Sequence, residues 1–148
     1  MKIAIGADHA GFIYKQPITE HLQSKGFDVI DKGTMSLEKT DYPIYAFKVA
    51  HSVRDKEADY GVLICGTGIG MSIAANKVKT IRAAAIQTES AAIATRAHNH
   101  ANVLCLGSRT NTLEEVLHFV DLFFETEPDE MERHVNRIKE ISEYEENE

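Results

Sequence analysis

A cysteine and three glycines at alternate positions head the run Cys65-Gly66-Thr67-Gly68-Ile69-Gly70-Met71-Ser72, and Ile73-Ala74-Ala75-Asn76-Lys77 continues it as a helix start. Such a loop lets several backbone N–H groups converge on one anion. A tight turn that needs glycine geometry is the competing reading, and the loop alone favours neither. The spacing is GxGxG, not the GxGxxG of dinucleotide binding, and no Gly-Lys-Ser/Thr follows as in a P-loop. A buried cysteine is usually an inert small hydrophobe, and Cys105 in Val103-Leu104-Cys105-Leu106 fits that description. Cys65 differs because it faces the start of a helix, whose field favours the thiolate. A thiolate there serves as a base or as a nucleophile.

Other polar groups stand at comparable places. Asp8-His9, inside Gly6-Ala7-Asp8-His9-Ala10-Gly11, joins a carboxylate to an imidazole, although a surface turn accounts for the pair equally well. Gly107-Ser108-Arg109 closes another apolar run. His98-Asn99-His100 reads as a polar helix terminus, where the dipole favours histidine. Residues two apart do not share a helix face, so a metal site is not indicated there. Arg133 and Arg137, four apart, do share one. Paired with Asp129 and Glu140 they make a solvated, salt-bridged surface. Free of such partners, two guanidinium groups suit the planar, multidentate recognition of a phosphate.

The elements that must position these groups alternate in type. Lys2–Ala7, Phe27–Asp31, Tyr60–Cys65, Arg82–Ile86 and Asn102–Leu106 read as strands, and YGVLIC at Tyr60–Cys65 is apolar throughout, as a central strand requires. The segments between them are long enough for crossover helices. Thr112 with Glu115 forms a capping-box signature ahead of Leu113, Val116, Leu117, Val120 and Phe124 at helical spacing. Met131, Val135, Ile138 and Ile141 form a second stripe, in a C-terminal helix over about 130–144, with the arginine pair roughly opposite it. Pro17 implies that the first helix starts late or kinks. The acidic end, Glu143–Glu148, reads as a frayed tail. This β-α alternation implies a parallel sheet between helices, and ligands in such sheets bind at the carboxyl ends of the strands.

Composition sets outer limits. The 148 residues form one domain, 1–148, and 43% hydrophobic with 26% charged residues suffices for a real core. A formal net charge of −7 argues against a general affinity for nucleic acid or an anionic membrane. A bound phosphate must therefore be held by local cations. Two cysteines make no disulfide framework, and the N-terminus has no signal-peptide pattern, so a cytoplasmic location is expected.

Taken together, the residues resemble the ribose-5-phosphate isomerase B family, which includes subunits of galactose-6-phosphate isomerase. The resemblance runs from Ile3 to about Ile141. It rests on Gly6–Gly11, Asp31-Lys32-Gly33-Thr34, Thr40-Asp41-Tyr42-Pro43, Cys65–Gly70, Ala74-Ala75-Asn76-Lys77, His98-Asn99, Asn102-Val103, Gly107-Ser108-Arg109 and Arg133-His134-x-x-Arg137, in that order. It implies a three-layer α/β/α Rossmann-like sandwich with a five-stranded parallel sheet, and isomerisation through a cis-enediolate with no metal and no cofactor. Carried over residue by residue, Cys65 is the base and Thr67 assists with hydroxyl protons. Backbone N–H groups of Gly66, Gly68, Ile69, Gly70 and Met71 form the anion hole. Asp8 and His98 open the sugar ring, and Asn99 contacts the substrate. His9, Arg109, Arg133 and Arg137 hold the phosphate, and Tyr42 lines the site. Some relatives use a glutamate in the glycine loop; that place is Met71 here, so the burden falls on Cys65. The family shares its sites between subunits, which implies a homodimer or higher homo-oligomer with His98 and Asn99 reaching across. Pro17 stands where relatives carry an ordinary helix former.

The expected substrate is ribose 5-phosphate, interconverted with ribulose 5-phosphate as in the non-oxidative pentose phosphate pathway. A six-carbon sugar phosphate such as allose 6-phosphate or galactose 6-phosphate is the alternative. A non-enzymatic nucleotide-binding module would use the glycine loop alone and leave Asp8, His98 and the arginine pair without a shared purpose.

Overall fold

Alternation along three central strands decides the layering. In the computed structural model, which describes residues 1–148, β1 (Lys2–Ala7), β3 (Tyr60–Cys65) and β5 (Val103–Gly107) are buried almost throughout. Successive side chains of a strand point to opposite faces. Ile3, Ile5, Val62, Ile64, Leu104 and Leu106 accordingly share one core, and Ala4, Leu63, Cys65, Val103 and Cys105 the other. With β2 (Asp28–Asp31) and β4 (Ala83–Ala85), they form a five-stranded sheet in the order β2-β1-β3-β5-β4. Every pairing is parallel.

The first core is closed by α1 (Phe12–Ser24), α4 (Glu89–Ala97) and α5 (Leu113–Glu125) through Ile18, Leu22, Ala92, Val116, Phe119 and Phe123. The second is closed by α2 (Tyr42–Arg54) and α3 (Ile69–Ala75) through Ala46, Val49, Val53, Met71 and Ala75. Helices on both faces of a parallel sheet make the three-layer α/β/α Rossmann-like sandwich. The Thr112 capping box starts α5 as expected, with Glu115 N–H donating to Thr112 Oγ1 at 3.2 Å and Thr112 N–H to Glu115 Oε1 at 2.9 Å.

Two expectations are corrected. The first helix does not start late: α1 runs unbroken from Phe12 through Pro17 to Ser24, so one missing N–H is tolerated inside packed surroundings. The acidic end is not a frayed tail, because α6 runs from Glu132 to Asn147. Glu145 Oε2 accepts the Thr80 N–H at 2.8 Å and Asn147 Nδ2 donates to Glu143 O at 2.9 Å, which ties that end down. Only His134 of α6 is buried. Val135, Ile141 and Tyr144 of that helix stay exposed, as do Ile44 and Phe47 of α2 and Ile69 and Ile73 of α3. No helix is long and apolar enough to cross a membrane.

Candidate active site

The chain leaves β1 toward β2 on one side and places β3 on the other, so a crevice opens at the carboxyl ends of β1 and β3. Asp8, Cys65 and Gly107 meet there, and backbone contacts fix their spacing. Asp8 N–H donates to Ile64 O, Ser108 N–H to Cys65 O at 3.0 Å and Arg109 N–H to Gly66 O at 2.9 Å. Ser108 Oγ donates to Ala10 O at 2.7 Å, which joins the first and fifth strand ends.

Within this frame Cys65 is 5% exposed, and its Sγ accepts the Gly68 N–H at 3.1 Å. An N–H aimed at sulfur stabilises a thiolate more than a thiol. Gly68 holds φ +79 and begins α3, with a backbone turn that only glycine takes without strain. Thr67 is exposed beside it, its Oγ1 accepting the Ile69 N–H at 3.2 Å. Asp8 is buried and its Oδ1 accepts the Ala10 and Gly11 N–H groups. His9 Nδ1 lies 3.2 Å from both the N–H and the carbonyl oxygen of Thr40, which holds the ring and leaves Nε2 free for a ligand. Thr40 in turn meets the Tyr45 hydroxyl at 3.0 Å. Tyr42 and Arg109 cover the loop: a methyl on Gly70 would come 2.7 Å from the Tyr42 ring, and one on Gly66 3.0 Å from Arg109 Nη1. Cys105 stands on the neighbouring strand, where burial pushes its thiol far up, as befits a core residue.

The remaining expected residues are elsewhere. His98 caps the C-terminus of α4, and helices of this fold run antiparallel to the strands, which puts it at the amino edge of the sheet. Arg82, just ahead of β4, donates from Nε to the Asn99 and His100 carbonyls at 3.1 and 3.2 Å, which fixes the turn there. His98, Asn99 and Arg137 line one cleft of 330 Å³ with Asn76, Arg82 and Ile138. Arg133 lies exposed one turn before Arg137 on α6. Neither arginine forms an ion pair within the chain, and Asp129 turns to His134 instead of Arg133. One chain therefore divides the expected site. Asp8, His9, Tyr42, the Cys65–Met71 loop and Arg109 share the carboxyl edge; His98, Asn99, Arg133 and Arg137 share the amino edge. The two edges are roughly 20 Å apart, the length of a six-residue strand at about 3.3 Å per residue. The largest cleft, 730 Å³ over the end of β2 and α2, holds none of these residues.

Sequence reasoning gave no site role to Arg82, Asn76 or Thr40, and read Asp129 only as a surface partner of Arg133. Asp129 and His134 lie with His98 so that one ligand atom from each falls within 4.8 Å of the others. Their geometry is not that of a metal centre. His134 Nδ1 already bonds Asp129, and the His98 and His134 rings are stacked, with centroids 4.3 Å apart and planes tilted by 31°.

Comparison with known proteins follows the same lines. The sequence profile of the family described as Ribose/Galactose Isomerase matches residues 3–141. Ribose-5-phosphate isomerase B of Escherichia coli (strain K12) is 49% identical over 141 residues, covering 95% of this chain and 94% of that protein. Among solved structures, ribose-5-phosphate isomerase B of Clostridium thermocellum is similar with a TM-score of 0.96 at 45% identity, over 99% of both chains. Ribose-5-phosphate isomerase B of Mycoplasma genitalium, solved with bound ribulose-5-phosphate, gives 0.94 at 44% identity over 99% of this chain and 97% of that one.

Proposed function

The chain belongs to the ribose/galactose isomerase family, and from that premise we propose that it interconverts ribose 5-phosphate and ribulose 5-phosphate, with Cys65 as the base. The observation that carries the reading is the Cys65 thiol, buried at a strand end with the Gly68 N–H at 3.1 Å and a glycine loop of N–H groups beside it.

The proton α to a carbonyl is weakly acidic, so its removal needs a base within hydrogen-bond reach and donors aimed at the forming oxyanion. Cys65 as thiolate takes the C2 proton of the open-chain aldose. The C–H electrons form the C1–C2 double bond and the carbonyl pair moves onto O1, where the loop N–H groups of Gly66 to Met71 receive the charge. The hydroxyl proton passes from O2 to O1 with Thr67 beside it, and Cys65 returns its proton to C1. The reaction is redox-neutral, so no cofactor enters the balance. His9, Arg109, Arg133 and Arg137 hold the phosphate, Tyr42 walls the cleft, and Asp8 and His98 move the protons of ring opening.

Since one chain divides these groups between two edges, the reading requires two copies, the amino edge of one meeting the carboxyl edge of the other. The exposed apolar side chains of α2, α3 and α6 offer a surface for that contact. Two unpaired cysteines fit a reducing cytoplasm.

The test measures ribulose 5-phosphate formation without added metal, for wild type, Cys65→Ala and His98→Ala. Both variants should be inactive or severely slowed. Their equimolar mixture should recover about a quarter of wild-type rate, because random pairing puts one intact site in half of the dimers. Full activity of Cys65→Ala would remove it as the base. No recovery on mixing would refute the shared site, and wild-type turnover of only a six-carbon sugar phosphate would correct the substrate.

A further inference from the structure

The turn that carries His98 is bound to the segment ahead of α6 by a closed set of contacts. Asp129 N–H donates to Ala97 O at 3.0 Å, and His100 Nε2 bonds the Asp129 carbonyl at 2.8 Å. The Asp129 carboxylate faces His134 Nδ1 at 2.8 and 3.0 Å and also accepts the Met131 N–H at 3.3 Å. A carboxylate only accepts, so His134 Nδ1 carries the proton and the ring plane is set by the bond. His134 is 6% exposed, and its ring lies against that of His98 at 4.3 Å. His98 itself is exposed, in the cleft that it shares with Asn99 and Arg137.

An exposed histidine on a turn samples several rotamers, and each must be frozen out before a proton moves along a fixed line. Here a buried ring occupies one face of the imidazole, and a carboxylate fixes that ring. The arrangement has the logic of a base oriented by a third group, with stacking in place of the second hydrogen bond.

We propose that Asp129 and His134 are positioning residues for sugar-ring opening, holding His98 at the angle from which it exchanges a proton with the substrate. The proposal rests on the reading of His98 as a ring-opening residue. Ribose 5-phosphate is a closed furanose. Its opening breaks the C1–O4 bond, with one proton leaving the C1 hydroxyl and one arriving at O4. Ribulose 5-phosphate has its O5 esterified and no hydroxyl placed to close a five-membered ring on C2, so it is already open. Ring chemistry therefore belongs to the aldose end of the reaction, and proton exchange on the ketose does not require it.

The experiment measures kcat and KM with ribose 5-phosphate, and separately the uptake of deuterium at C1 of ribulose 5-phosphate in heavy water, for wild type, His98→Ala, His134→Ala, Asp129→Ala and Asp129→Asn. His98→Ala should lower kcat with ribose 5-phosphate about a hundredfold, the size of a lost acid–base group. His134→Ala and Asp129→Ala should lower it roughly tenfold, with KM within about twofold, a partial loss of orientation. All three should keep the deuterium uptake within about threefold, since removing a proton from the open ketose needs no ring chemistry. Asp129→Asn, whose amide oxygen still accepts from His134, should stay near wild type. Equal losses in both assays for His134→Ala would reduce the pair to a structural role and overturn the proposal. So would an Asp129→Asn variant as slow as Asp129→Ala. If His98→Ala itself loses both assays equally, the ring-opening reading of His98 fails and takes the positioning role with it; a selective loss in His98→Ala alone overturns only the latter.

Discussion

Two glycines with nearly the same backbone angle separate conformational strain from lack of space. Gly26 has φ +92 and Gly68 φ +79, so alanine at either must hold the left-handed region, at a cost of roughly 1 kcal/mol. A methyl on Gly26 meets nothing within 4 Å. A methyl on Gly68 comes 3.0 Å from Leu106 N and 3.1 Å from Cys105 C and O. Those atoms are the backbone of β5, paired on both sides by β3 and β4, and they do not yield like the end of a flexible side chain. Overpacking against such a wall adds about 2 kcal/mol. In a domain of this size each kcal/mol moves Tm by about 2–4 °C, so Gly26→Ala should lose about 2–4 °C and Gly68→Ala about 6–12 °C. Thermal unfolding at one fixed protein concentration reads both. The displaced residue also carries the N–H that faces Cys65 Sγ at 3.1 Å, so Gly68→Ala should lose at least about tenfold in isomerase rate while Gly26→Ala keeps it. Equal Tm losses for the two variants, with the rate intact in both, would refute the claim that β5 pins the loop under the thiol.

Removing the α5 cap by Thr112→Ala breaks two reciprocal hydrogen bonds and should cost about 1 kcal/mol, or about 2–4 °C in Tm, with Thr112→Ser close to wild type; an unchanged Tm for the alanine variant would show the box to be without weight. At acid pH the Asp129 carboxyl matters. Its hydrogen bond from His134, ahead of its charge, holds it below its ordinary value of 3.8, so its contribution is complete above that value and disappears as pH falls through the lower folded-state value. Unfolding measured against pH should find the advantage of wild type over Asp129→Asn shrinking below about pH 4; an advantage constant down to pH 2 would contradict it.

The parallel sheet was legible because its signals were local. YGVLIC cannot be half-exposed, and the crossovers between strands have room for helices, so the parallel sheet followed from sequence. The boundaries slipped by one residue at β2, β4 and β5, because strand ends carry little punctuation of their own. The capping box is a four-residue pattern and survived intact. What failed depended on distant partners. The acidic end looked unable to hold a helix until Thr80, 65 residues away, supplied an N–H for Glu145. Asp129 read as the partner of Arg133 on helical spacing, but it lies ahead of α6, where the chain is extended and turns its carboxylate to His134. The His98–His134 stack joins two elements separated by β5 and α5, and no spacing announces it.

The division of the site between two edges also follows from electrostatics. With a net charge of −7, the protein offers a phosphate no general attraction. Of the groups proposed to hold the phosphate, the carboxyl edge contributes Arg109 and His9, the latter with Nδ1 against the Thr40 backbone. Loop N–H groups help, but the same loop is assigned to the enediolate and cannot serve both charges from one position. Arg133 and Arg137 sit on the far edge, four apart and without an acid partner in their own chain. Two like charges held on one helix face without compensation are mildly repulsive. In the proposed dimer that imbalance is relieved, because the edges of two copies meet over one phosphate. The same proposed contact would cover the apolar side chains left exposed on α2, α3 and α6. On that reading the placement of the arginines and the division of the site between two edges have one cause.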